Sequence, residues 1–206
     1  HIQDHFPGKR QIRNSVNHFI YLSNTPIKIE CTRLVKKNLF ILLSLYLSTN
    51  CFAQYWQQQV DFVIDVSLNE HERSLTAFER ITYHNNSPDT LHFIWFHLWP
   101  NAYKNDRTAF SDQLLENGRT DFYFAHPEQR GYINRMDFKV DGITAKTEDH
   151  PEHIDIIKLL LPAPILPGQK AAITTPFHVK LPFNFSRGGY SDKSFQITQW
   201  FPRPAM

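Results

Sequence analysis

Residues 60–68 read VDFVIDVSL, and this stretch decides the fold class. Apolar and polar side chains alternate along it, which is the pattern of a β-strand that buries one face and exposes the other. The expected polar face includes Asp61, Asp65 and Ser67. The expected core face carries Val60, Phe62, Ile64, Val66 and Leu68.

β-type composition continues beyond this first strand. A polar turn at 69–73 leads into a second strand over 75–83, and the two strands predict a hairpin. A third strand at 91–99 is rich in aromatic residues, so we expect both of its faces to be covered in the centre of a sheet and Pro100 to end it. Further strands are expected over residues 132–140, 143–147, 154–161, 171–181 and 194–201.

Turns and one helix separate these strands. Asp141-Gly142 predicts a two-residue hairpin turn, and 162–168 is a proline-rich turn. The connection 104–130 contains one helical pattern, at 108–117, with Gly118 behind it. Connections of this length tend to be functional or covered by a partner. About eight short strands without strand–helix alternation predict an all-β fold, a β-sandwich with one short helix in a long connection.

A secretory signal peptide is predicted over residues 34–53. Two lysines precede an apolar run at 39–47, and small residues then stand where a signal peptidase cleaves, so we expect cleavage after Ala53. The run is shorter than the roughly 20 residues that span a bilayer, so no stable membrane anchor is expected. A lipoprotein signal ending at Cys51 is an alternative, although Asn50 is larger than the residue usual before such a cysteine.

The remaining sequence divides into an extension and one domain. Residues 1–33 lack a sustained helical or strand period, and we expect them to be a non-native or disordered upstream extension. Residues 54–206 have the length of a single domain with a core. They contain fifteen Lys and Arg against eighteen Asp and Glu, a net charge of −3 that gives no basis for binding nucleic acid. Both cysteines precede residue 54, which excludes cysteine chemistry from the domain.

The eleven histidines show none of the spacings of a zinc site. His71-Glu72 begins a His-Glu-x-x-His motif, but no second histidine follows and the pair lies in the polar turn. His150 and His153 are three residues apart, and Pro151 disfavours a helix there, so we expect an exposed loop. No Gly-x-Ser-x-Gly elbow or glycine-rich phosphate loop occurs. The sequence therefore identifies no catalytic and no metal-binding residue.

Four short motifs follow one another along the domain: FHLWPNAY at 96–103, VDG at 140–142, LPG at 166–168 and QWFP at 199–202. In this order the domain resembles the N-terminal domain of the M1 (gluzincin) family of zinc aminopeptidases, in its secreted bacterial branch. The resemblance extends over essentially all of residues 54–206. PNAY and QWFP are its most specific elements, whereas LPG is common in β-sandwiches.

The resemblance implies a saddle-shaped β-sandwich that packs on a thermolysin-like catalytic domain following it in the polypeptide. That domain would hold zinc and carry the Gly-x-Met-x-Asn and His-Glu-x-x-His motifs, neither of which occurs here. The chain is thus expected to be an accessory fragment, inactive alone and without a cofactor of its own. Its partners would be the catalytic domain and a peptide substrate.

The resemblance also implies one substrate-binding residue. Gln199 falls where the family's N-terminal domain extends a Gln or Glu into the active site to help hold the free amine of the substrate. The alternative is an ordinary strand amide that bonds to the backbone.

A free-standing exported binding module, for example one for carbohydrate, is the alternative interpretation of the whole domain. The aromatic residues of 91–99 would then form a sugar-stacking platform instead of packing in a core. Under the accessory-domain interpretation, a face left uncovered should gather apolar residues into one partly exposed patch. The residues expected there are Phe110, Phe122, Tyr123, Phe124, Trp200 and Phe201.

Overall fold

The computed structural model describes residues 56–205. The extension expected at 1–33 and the signal peptide expected at 34–53, with its cleavage after Ala53, lie outside these residues and stay predictions. Between residues 56 and 205 no helix is long and apolar enough to cross a bilayer.

Strands dominate the described residues. In chain order they are β1 (Gln59–Asn69), β2 (Ser74–His84), β3 (Leu91–His97), β4 (Tyr132–Asn134), β5 (Lys139–Val140), β6 (Ile143–Thr144), β7 (Thr147–Asp149), β8 (Ile156–Ile165), β9 (Lys170–Lys180), β10 (Gly189–Ser191), β11 (Ser194–Gln196) and β12 (Arg203–Pro204). Helical structure in the same residues consists of α1 (Ala109–Glu116) and 3₁₀ turns at Trp99–Tyr103 and Pro127–Gln129. The predicted all-β fold with one short helix in a long connection is confirmed.

The larger sheet has six strands in the order β1-β2-β9-β5-β6, with β4 also pairing with β9. Strands β1 and β2 pair antiparallel from Gln59↔His84 to Asn69↔Ser74, which confirms the predicted hairpin. The predicted turn between β5 and β6 is also present. Asp141 and Gly142 both adopt positive φ there, at 49° and 82°, as a tight hairpin turn requires.

The smaller sheet has four strands in the order β12-β3-β8-β7. Strand β3 lies between β12 and β8, so it has neighbours on both sides as predicted. Ile94 and Phe96 face the core and are buried, but Phe93 on the other face is 40% exposed. The expectation that both faces of this strand are covered is therefore wrong for the outer face.

One hydrophobic core joins the two sheets. Buried side chains from β2, β5 and β9 of the larger sheet belong to the same cluster as those from β3 and β8 of the smaller one. Phe96 of β3 meets Phe138, next to β5, at a ring-centroid distance of 5.1 Å. The two antiparallel sheets thus share a single sandwich-like core.

Prolines and strand ends account for two differences from the sequence expectations. Strand β8 continues through Pro162 and Pro164, where a turn was expected. Its ladder with β3 shifts register between Leu91 and Phe93, and such a bulge accommodates residues that cannot donate a backbone N–H. The strand expected over 132–140 is interrupted between β4 and β5.

Two further expectations differ from the structure: the burial of one end of β1 and the length of the strand expected over 194–201. Val66 and Leu68 are 49% and 40% exposed although they lie on the apolar face of β1, because the cover of that face stops short of this end. The single strand expected over 194–201 is wrong. Only residues 194–196 of that range form a strand, β11, and residues 197–202, which follow it and precede β12, are not in a strand.

The long connection forms a small core of its own. Thr108 caps α1 by accepting a hydrogen bond from Ser111 N at 3.2 Å, and Gly118 follows the helix with φ at 74°. Leu114 of the helix packs with Phe122 and Phe185 in a second cluster. The predicted helix is confirmed, and it anchors the connection beside the main core.

A buried amide ties the two sheets together at one end. Asn85, fully buried after β2, donates from Nδ2 to the carbonyls of Asp89 and Ile165 at 2.8 and 3.0 Å. Its Oδ1 accepts from Gln58 Nε2 and from the Ser87 hydroxyl. Since Ile165 ends β8, this one side chain links the larger sheet to the smaller.

We expect Asn85→Ala to lower the free energy of unfolding by about 2–4 kcal/mol, because it leaves several buried partners without hydrogen bonds. Asn86→Ala is the control, since the exposed Asn86 makes one side-chain bond, to the Gln57 carbonyl at 2.9 Å. Urea denaturation measures both. Equal losses in the two variants would contradict the linking role of Asn85.

The core face of β2 also contains a carboxyl group. Glu79 is fully buried, and neither of its oxygens has a hydrogen-bond partner among the described residues. Burial raises the pKa of Glu79 from 4.5 to about 9. The folded protein therefore holds this proton at neutral pH, whereas the unfolded chain has released it.

This difference predicts a stability that falls with rising pH. Between about pH 4.5 and 9 the folded state binds one more proton at Glu79 than the unfolded state, so its contribution falls by up to about 1.4 kcal/mol per pH unit. The contribution of Glu79 to the free energy of unfolding is fully present below pH 4.5 and is lost progressively as the pH rises toward 9. Glu79→Gln removes the titration, so urea midpoints at pH 5 and pH 8 should differ less in this variant. A parallel decline in both proteins would refute the assignment.

Candidate ligand-binding cleft

A cleft of about 800 Å³ opens between parts of the chain that are distant in sequence. The 3₁₀ turn Trp99–Tyr103 and helix α1 form one side, and the segments after β9 and β11 form the other. Aromatic rings of Trp99, Tyr103 and Trp200 line it together with polar groups. A concave apolar surface with a few polar groups is the usual form of a ligand site.

Local sequence fixes the position of the 3₁₀ turn Trp99–Tyr103 on one side of the cleft. Pro100 has no backbone N–H, so it suits the start of the 3₁₀ turn. Leu98 N donates to the Asp155 carbonyl at 2.7 Å, and Asn101 Oδ1 accepts from Ile133 N at 3.1 Å. The PNAY element therefore has a structural task, since it fixes the turn that carries Trp99 and Tyr103 into the cleft.

Charged and polar groups lie around the cleft. Arg187 and Asp155 both line it. Burial raises the pKa of Tyr103, while the charge of Arg187 and a hydrogen bond with Ser186 act in the opposite direction. Thr198 Oγ1 donates to the Arg187 carbonyl at 2.8 Å and ties the two segments of the second wall together. The residues that line the cleft therefore include a cationic, an anionic and several aromatic residues.

Gln199 lines this cleft. It is exposed, lies in a bend, and adopts a left-handed backbone conformation with φ at 50°. The alternative of an ordinary strand amide is thus wrong, because residue 199 is outside every strand. Its side chain makes no hydrogen bond within the part of the chain that the structure describes. Non-glycine residues in this conformation cost of order 1 kcal/mol and concentrate at functional sites.

The histidines considered for metal binding lie elsewhere. His71 is in the exposed turn between β1 and β2, and His150 and His153 are in the loop between β7 and β8. The last two rings stack at 4.9 Å, and His150 Nδ1 accepts from the backbone N–H groups of Glu152 and His153. Among residues 56–205, no group of three or more His, Cys, Asp or Glu could hold a metal ion.

The aromatic face of β3 is separate from the cleft. Phe93 and Trp95 meet edge to face at 5.9 Å, Lys158 Nζ lies 4.5 Å from the Phe93 ring centroid, and His150 packs against Trp95 at 5.5 Å. Lys158 also pairs with Glu148 at 3.4 Å. The two rings on the outer face of β3 therefore already have protein partners, whereas Trp99, the last aromatic residue of 91–99, lines the cleft.

The six aromatic residues expected in one exposed patch fall into three packing groups, although Phe110 and Trp200 both line the cleft. Phe110 and Phe122 pack in the small core of the connection. Tyr123 and Phe124 form an exposed pair, with Phe124 at 74% exposure. Trp200 and Phe201 are half-buried against the main core. The expectation of one contiguous patch of these six residues is wrong.

Sequence reasoning did not find Tyr103, Asp155 and Arg187, which the fold brings to one cleft. No motif marks Arg187 or Asp155, and Tyr103 was noted only as the last residue of FHLWPNAY. No protein-family model matches the chain, and no curated protein is significantly similar to it.

We expect Gln199→Gly to raise the free energy of unfolding by about 0.5–1 kcal/mol, because glycine adopts positive φ without strain. Gln196→Gly is the matched control. It lines the same cleft from β11, where glycine weakens a strand and should lower stability. Denaturant unfolding measures both changes. A loss of stability in Gln199→Gly similar to that in the control would show that the bend is not strained.

Proposed function

We propose that this domain is the N-terminal accessory domain of an exported M1-type zinc aminopeptidase. It packs on a catalytic domain of the same polypeptide and helps to shape the site for the amino terminus of a peptide substrate. It is not catalytic alone. The protein is periplasmic or extracellular in this proposal, with a signal peptide cleaved after Ala53.

The observation that carries the proposal is the presentation of Gln199. Its side chain is exposed, uncommitted within the described residues, and held at the cleft by a strained backbone. An amide oxygen in such a position can accept a hydrogen bond from a substrate ammonium group. This is the task that the resemblance assigns to the residue.

The division of labour follows from the chemistry of the domain. The catalytic domain would hold zinc, which supplies a polarised water for attack on a peptide carbonyl. The present domain supplies the Gln199 amide and the aromatic wall of the cleft. Binding the amine rather than the reacting carbonyl should affect substrate affinity and position more than the chemical step.

Reading the coding DNA beyond residue 206 tests the proposal most directly. We expect the frame to continue into Gly-x-Met-x-Asn and His-Glu-x-x-His motifs. A stop codon directly after Met206 would overturn the accessory-domain proposal and favour the free-standing binding module.

In the protein that includes the catalytic domain, we expect Gln199→Ala to raise KM for an aminoacyl anilide by about 10- to 100-fold, the loss expected for one hydrogen bond to a charged group. Gln196→Ala, on the same cleft, should change KM less than threefold. Steady-state kinetics with thermal melting of both variants separates binding from folding. Equal KM in wild type and Gln199→Ala would remove the substrate role.

A further inference from the structure

The buried carboxyl of Glu79 has no task in the proposed function. Fully buried glutamates are rare unless they are paired, and this one has no hydrogen-bond partner for either oxygen among the described residues. It belongs to an apolar face between Ala77 and Ile81. An unpaired carboxyl group at a core position needs a physical explanation.

The register of the sheet identifies what lies beside Glu79. Ile64 of β1 is opposite it on one side and Thr175 of β9 on the other. The Thr175 hydroxyl already donates to the Pro176 carbonyl at 2.8 Å and accepts from Asp137 N at 3.0 Å. Neither strand neighbour therefore donates a hydrogen bond to the carboxyl group.

A segment outside the strands covers this part of the sheet. We call residues 197–202, between β11 and β12, the strap. Phe201 of the strap packs on Phe62 at 5.2 Å, and Trp200 packs on Phe177 at 5.8 Å. Phe62 lies in the cross-strand row on one side of Glu79, and Phe177 lies in the row on the other side. Since Trp200 and Phe201 also contact each other, the pair bridges both rows with the Glu79 row between them.

The other charged groups of the packed elements lie away from this face. On β1 and β2, Asp61, Asp65 and Arg80 occupy exposed positions, and on β9 the half-buried His178 alternates with the core residues. Arg135 and Asp137 before β5 and Arg203 after the strap are exposed. The other titratable group on the core face of β2 is Tyr83, two same-face positions from Glu79, and burial raises its pKa above the ordinary 10.0.

We propose that Glu79 and the strap form a pH-sensitive latch. With the carboxyl group neutral, the Trp200–Phe201 pair covers the core face of the six-stranded sheet at the Glu79 row. When the carboxyl ionises, the charge has no partner inside, and the strap lifts to admit water. This inference does not depend on the proposed peptidase role.

Two features make the strap the element that yields. β1, β2 and β9 are held by continuous ladders of eleven residues each, whereas the strap lies outside the strands and contains the strained Gln199. Burial raises the pKa of Glu79 to about 9, so the latch is closed at neutral pH and opens under alkaline conditions. Because Gln199 and Trp200 line the cleft, opening removes part of its wall.

The latch can be followed with 5-fluorotryptophan in the full chain, which contains four tryptophans. Trp200→Phe assigns the Trp200 signal in ¹⁹F NMR spectra. We expect the chemical shift of this signal to move toward that of a solvent-exposed ring with a midpoint near pH 9. The chemical shifts of Trp56 and Trp95 should stay constant. Glu79→Gln should abolish the movement, and Glu148→Gln, an exposed carboxyl on β7, should retain it.

Three outcomes would overturn the latch: an unchanged titration of Trp200 in Glu79→Gln, simultaneous movement of all four signals, or no movement up to pH 10.5. The second outcome would indicate global unfolding. If Glu79→Gln does not fold, Glu79→Met provides an apolar side chain of similar length, and its Trp200 signal should stay constant across the same range. A titrating Trp200 signal in that variant would likewise exclude Glu79 as the trigger.

Discussion

The pairing of β2 with β9 is the constraint on which the rest of the structure depends. The two strands pair at eleven positions, from Ser74↔Lys180 to His84↔Lys170, without a shift of register. Because side chains alternate with a period of two, this register fixes every odd-numbered residue of β2 on the core face. The same alternation that buries Leu75 and Ile81 therefore places Glu79 inside, and a one-residue slip that exposed Glu79 would also expose Leu75 and Ile81.

The parts of the fold that sequence reasoning predicted are those governed by local pattern. Alternation identified β1 and β2, and the Thr108 cap with Gly118 identified α1, because these signals act over a few residues. The exposure of Val66 could not be predicted, since it depends on how far the opposite layer extends. The failure at 194–201 has a similar origin: apolar residues such as Trp200 pack on a remote strand without belonging to one.

The candidate site was predictable in one residue only. Gln199 came from a resemblance in four short motifs, and the structure places it on the cleft. Its neighbours Tyr103, Asp155 and Arg187 are separated by dozens of residues, and only the tertiary fold brings them together. The left-handed backbone at Gln199 is likewise invisible to composition, because glutamine is an uncommon choice for positive φ.

Two departures from the usual rules meet in the strap, and this coincidence is independent of any family resemblance. Gln199 holds a strained conformation at the cleft, and its neighbours Trp200 and Phe201 bridge the rows on either side of an unpaired carboxyl. Sequences that specify one fold keep their local preferences consistent, and exceptions concentrate where function has a competing demand. In the proposed latch, a part of the cleft wall that lies outside the strands changes position while the ladders of β1, β2 and β9 stay intact. The strap, which is defined by its backbone strain and its packing, therefore contains the QWFP motif at residues 199–202.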